Sequence, residues 1–145
     1  MEAHPFSVHF PVALLLVAGV SYGVSLFRDT AFFRRAGLYL HLLGVSGLVL
    51  AILTGRAAQA AARSQHPPED LIRQHELSGY VVLWLAAMLL VWVWLRPKAT
   101  RREFMAITLI LAAVLGLLIW DASLGGTLVY RYGIGVDAPP ALPVP

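Results

Sequence analysis

Four long apolar runs, separated by short polar stretches, make up most of the chain: roughly residues 6–27, 33–57, 71–95 and 104–130. Each holds about the 20 apolar residues needed to cross the hydrocarbon core of a bilayer. Inside lipid, an open chain satisfies its backbone hydrogen bonds only as helix. The pattern therefore predicts an all-α, integral membrane four-helix bundle over residues 1–136. The last run is long and is expected to become irregular at Gly125-Gly126.

The polar breaks sharpen this outline. The stretch Arg63–Asp70 reads RSQHPPED. Pro67-Pro68 stops one helix and opens the next, with Glu69 and Asp70 placed in its first turn. Residues 137–145, DAPPALPVP, carry too little apolar surface for a core and are expected to form an extended Pro-rich tail. Small residues recur at packing spacing: Gly19 and Gly23 in the first run, Gly47, Ala51 and Gly55 in the second. They allow close contact between membrane helices. Trp84, Trp92, Trp94 and Trp120 read as interfacial or core residues.

Composition supports the same class. A chain of 145 residues fits one domain. Hydrophobic residues at 59%, charged residues at 13% and a mean hydropathy of +0.73 exclude an ordinary soluble domain. The net charge of +3 and the pI near 9.7 do not indicate nucleic acid, because the basic residues sit between apolar runs. The absence of cysteine removes disulfides, thiolate zinc sites, iron–sulfur clusters and covalent c-type haem. Glu2 and His4 stand where a signal peptide would carry basic residues, so the first helix is expected to remain in the mature protein.

Those basic residues set the expected orientation. Arg28, Arg34 and Arg35 follow the first run; Arg96, Lys98, Arg101 and Arg102 follow the third. The opposite side holds Arg56, Arg63, Arg73 and Arg131, diluted by most of the acids. The positive-inside rule then places both termini on the periplasmic side of a bacterial inner membrane.

Five histidines are the candidate chemistry: His4, His9, His41, His66 and His75. HPFSVHFP puts His4 and His9 at the mouth of the first run, and HELSG puts His75 near the start of the third. His9 and His75 should share a depth, with His4 just outside and able to replace His9. His41 lies about 12 Å into the second helix at the helical rise, on another level. Gly79 lies one turn after His75; Gly37 and Gly44 flank His41. An imidazole beside bare backbone suits a flat macrocycle, and two histidines make a low-spin haem electron carrier. Arg56 and Arg73 stand at the same level, placed to pair with propionates. His66 reads as a solvated loop residue.

Other chemistries fit less well. Zinc, copper or iron would draw on His4, His9, His75 and Glu76, but HExxH is absent. There is no GxSxG elbow, and LGGTLVYRYGIGV follows a membrane helix rather than a strand, which excludes a phosphate loop. No nucleophile or acid–base pair is placed for catalysis, so an enzyme is the less favoured reading. Asp121 is placed to pair with Arg56 or to orient an imidazole.

HPFSVHFPVALL, LTGRAA, the histidine opening the third helix and GGTLVYRYGIGV together resemble a family of small bacterial membrane proteins known only as a domain of unknown function. Its members are sometimes joined to cytochrome-c-like domains, which implies an electron-transfer setting. The architecture is also similar to four-helix membrane cytochromes b. Those usually show more than one cross-helix histidine pair; here one pair is obvious.

The leading expectation is a membrane b-type cytochrome subunit. His9 and His75 would hold one haem b between helices one and three, with His41 marking a second site. Its partners would be the bilayer, other subunits of a respiratory or photosynthetic complex, and a periplasmic cytochrome c or quinone, with no nucleic acid. The alternatives are a cofactor-free structural subunit of such a complex and a non-haem metal-binding membrane protein.

Overall fold

The computed structural model describes residues 3–28, 31–62 and 68–134. It is helical throughout: a short α1 (Ala3–Ser7), then α2 (His9–Arg28), α3 (Ala31–Ala62), α4 (Glu69–Leu95) and α5 (Arg101–Tyr132). Four of its helical stretches are long and apolar enough to cross a membrane, with α1 and α2 forming the first stretch together. The expected tail at 137–145 and His66 lie outside the described residues.

Local sequence explains the helix ends. Pro68 precedes α4 with extended backbone, and Glu69 and Asp70 occupy the first turn, where acids complement the helix dipole. Thr100 and Glu103 form a reciprocal capping box at the start of α5. Gly133, at φ 66, ends α5 in the left-handed conformation that glycine adopts without penalty. Its N–H bonds to the Val129 carbonyl at 2.9 Å. Contrary to the expected break, α5 runs unbroken through Gly125-Gly126. In an apolar surround an interrupted helix would leave backbone groups unpaired, and Gly125 serves the packing of a side chain described below.

The helices follow one another around the bundle. Helix α2 packs on α3, α3 on α4, α4 on α5, and α5 returns to α2, while α1 lies against α3. The core divides by height. Tyr22, Leu89, Val93, Phe104, Ile107 and Leu111 fill the end nearer the arginines. Leu15, Leu48, Val82, Ala86, Val114 and Leu118 fill the middle. Leu128 and Ile134, with Leu71 and Ile72, close the far end beside the histidines. The outer surface is strongly apolar, with Phe27, Val20, Leu53, Trp84, Leu109 and Ile119 all exposed, as a lipid-facing exterior requires.

At the arginine end the bundle is pinned by polar contacts. The Arg34 guanidinium lies 4.4 Å from the Phe104 ring centre, and Arg101 donates to the Leu26 carbonyl at 3.3 Å. Close approach of α2 and α3 depends on glycines. A Cβ at Gly37 would run into the Tyr22 ring, and one at Gly44 would come within 2.6 Å of Leu15. Gly23, by contrast, faces open space. We therefore expect Gly44→Val to destabilise the bundle by about 1–3 kcal/mol through overpacking, while Gly23→Ala is near neutral. Thermal melts in detergent check the pair; equal effects would contradict this packing.

Candidate functional site

The histidine end of the bundle opens into an apolar cavity of about 660 Å³. All four long helices line it, and so does α1. Two imidazoles meet there. His4 of α1 and His75 of α4 face each other with ring centres 6.3 Å apart and planes at 61°.

Each imidazole is pinned through Nδ1. His75 donates to Asp121 Oδ1 of α5 at 2.9 Å. Asp121 is buried, and the Ser78 hydroxyl donates to the same oxygen. A carboxylate accepts only, so Nδ1 of His75 carries the proton. His4 Nδ1 lies 3.2 Å from Thr54 Oγ1, and Thr54 sits 2.9 Å from Ser7 Oγ. The Thr54 hydroxyl donates to carbonyls of its own helix, Leu50 and Ala51, both at 3.0 Å. With that proton so placed, its lone pairs are open to a His4 Nδ1–H. The bond to Asp121 assigns the His75 tautomer. The side-chain hydrogen bonds of both rings run through Nδ1, and neither Nε2 takes part in them.

Bare backbone lies beside both rings. A Cβ at Gly55 would meet His4 Cε1 at 2.9 Å, and one at Gly125 would meet His75 Cε1 at 3.1 Å. Thus α5 needs glycine at 125 to seat His75, and α3 needs it at 55 to seat His4. Gly79 lines the cavity beside Asp121, whose Oδ2 would lie 3.9 Å from a Cβ there.

The expected residues are placed unequally. His9 does not meet His75. It is exposed at the cavity rim, and its Nδ1 donates to the Pro5 carbonyl at 2.7 Å. His4 takes the position facing His75. The cause is rotation, not depth: five residues at 3.6 per turn separate the two side chains by about 140° around the axis. Arg56 and Glu76 line the cavity; Arg73 is exposed and does not.

His41 is fully buried in a separate place. Its Nε2 donates to the Ala86 carbonyl at 3.0 Å, and its Nδ1 faces the Tyr22 hydroxyl at 3.5 Å. The bare backbone expected beside it is already covered, Gly37 by Tyr22 and Gly44 by Leu15. With both nitrogens engaged and no slot, His41 acts as a bond between helices.

Sequence reading missed Thr54, Ser7, Ser78 and Gly125. Thr54 stands inside LTGRAA, next to Gly55. That adjacency was the available signal. Among the described residues, no group of three or more His, Asp or Glu side chains converges as a metal-ion site.

No curated protein matches the chain, and no solved structure does. The family model described as "Predicted membrane protein (DUF2231)" matches residues 1–138. That span covers nearly the whole chain and all of its described helices, and the protein belongs to this family of membrane proteins.

Proposed function

We propose that the chain is a membrane b-type cytochrome subunit, with one haem b held between α1 and α4 by His4 and His75. The observation that carries this reading is the pair of facing imidazoles, each pinned through Nδ1, at an apolar cavity. The donor set fits the group. Neutral imidazole is a standard axial ligand of haem iron, and metal-ligating histidines usually give their other N–H to a carboxylate or similar acceptor. About 660 Å³ lies within the usual range for cofactor cavities. Gly55 and Gly125 keep the backbone close to both rings.

When bound, haem supplies a one-electron iron couple. The protein's own residues bind, orient and shield it. Asp121 holds the His75 ring in one tautomer and one orientation, and Thr54 anchors the His4 ring. Val8, Val12, Leu48, Val82 and Leu118 give the cavity an apolar wall that excludes water. Arg56 is the cation placed for a propionate. The arginine-rich ends of α2 to α5 support an orientation with the haem near the periplasmic face of a bacterial inner membrane. There it would exchange electrons with a periplasmic cytochrome c or a quinone, as part of a larger membrane complex.

The test is an absorption spectrum of the detergent-purified protein from its native source, oxidised and then reduced with dithionite. Sharp α and β bands with a shifted Soret peak, and one iron per chain, are expected. A flat visible spectrum from folded protein would overturn this reading and favour a cofactor-free structural subunit.

A further inference from the structure

The two imidazoles are built into the bundle very differently. His75 stands in the second turn of a 27-residue helix. Its ring is tied to a buried carboxylate on α5, that carboxylate is tied back to Ser78 of α4, and the ring rests on Gly125. His4 stands on a five-residue helix, its ring resting on Gly55 and that helix tied to α3 through Ser7 and Thr54. Between α1 and α2 the helix is irregular at Val8, whose N–H still bonds to the His4 carbonyl at 3.2 Å. Pro11 has no N–H to give to the Ser7 carbonyl, and the next bond, Val12 N–H to Val8 O, is stretched to 3.4 Å. The Nδ1 partner of His4 is a neutral hydroxyl at 3.2 Å. Neutral hydrogen bonds are roughly half as strong as those to a charged group.

We infer that His75 is the permanent ligand and His4 the displaceable one, so that reduced iron in this cavity takes a small neutral π-acceptor diatomic, such as carbon monoxide or nitric oxide, on the His4 side. This inference rests on the haem reading proposed above. In the exchange the iron–Nε2 bond to His4 breaks as the diatomic's lone pair forms its own bond to iron, and no electron changes hands. The backbone is weakest at this point, where Pro11 leaves the Ser7 carbonyl without its helical donor, so α1 would pivot there while α2 to α5 keep their packing. The cavity lining includes Val8, Ala51, Ile52 and Gly55, apolar groups that suit an uncharged diatomic.

The test uses the full-length protein purified with its haem, reduced with dithionite and mixed with carbon monoxide. Haem content is read before the gas is added. Conversion to a carbon-monoxide spectrum is expected in the wild type. Thr54→Val, which keeps His4 but removes its anchor, should speed that conversion by roughly fivefold, the worth of one neutral hydrogen bond. Asp121→Asn acts on the other ligand, His75, and should speed the conversion less than Thr54→Val does. A reduced wild type that keeps its bis-imidazole spectrum under saturating gas overturns the inference while leaving the haem reading intact. Acceleration by Asp121→Asn and not by Thr54→Val overturns it too, by naming His75 as the ligand that leaves. A wild type without haem removes the cytochrome reading at the first step, and this inference with it.

Discussion

Replacing His75 with alanine should strip the protein of haem, whereas replacing His9 with alanine should not. His75 lines the cavity with its Nδ1 held by Asp121, and nothing else on α4 offers an imidazole there. His9 is exposed and uses Nδ1 on the Pro5 carbonyl. The alanine variant also leaves the buried Asp121 with only Ser78, which costs about 1–3 kcal/mol of stability. His75→Asn is the matched control, because its amide can still donate toward Asp121 but cannot ligate iron as imidazole does. Soret absorbance and iron per chain, measured beside helical circular dichroism, separate loss of ligand from loss of fold. Haem lost with His9→Ala and kept with His75→Asn would reverse the assignment.

Asp121→Asn should weaken haem retention by about 10–100-fold, the usual effect of removing an outer-shell partner of a metal-ligating histidine. It should also raise the midpoint potential. A carboxylate accepting from Nδ1 makes the imidazole a stronger donor and favours ferric iron. An amide oxygen in its place withdraws that support. A rise of roughly 60 mV corresponds to a tenfold shift in a one-electron equilibrium. A merely structural Asp121 would lower stability and leave the potential of the retained haem unchanged. Redox titration of the variant's remaining haem therefore distinguishes the two roles.

Much of the fold is legible along the chain. Span number and approximate span limits follow from hydrophobic length, because lipid admits no other economical backbone arrangement. The apolar runs anticipated the four spanning stretches, and Pro68 with Glu69-Asp70 anticipated the start of α4. Family membership was also readable from the sequence. The expected break at Gly125-Gly126 was not observed, since glycine inside a membrane helix marks close packing at least as often as a bend.

The site shows where one-dimensional reasoning stops. Depth along a helix follows from residue count, so His4, His9 and His75 were all placed near one rim. Rotation about the axis decides which of two neighbouring histidines faces inward, and only packing fixes it. The irregular helix at Val8 and the seat at Gly55 turn His4 to the cavity and leave His9 at its edge. Asp121 offered two partners on paper, Arg56 and an imidazole; the contact of α4 with α5 chose His75. His41 looked like a ligand because glycines flank it, yet Tyr22 and Leu15 from α2 occupy that space. The sequence by itself determined that this is a four-span helical membrane protein with histidines gathered toward one end, because hydrophobic length and helical rise are local properties. The tertiary structure alone decided which imidazoles meet and what holds them, because those contacts join residues 46 and 50 positions apart through the packing of separate helices.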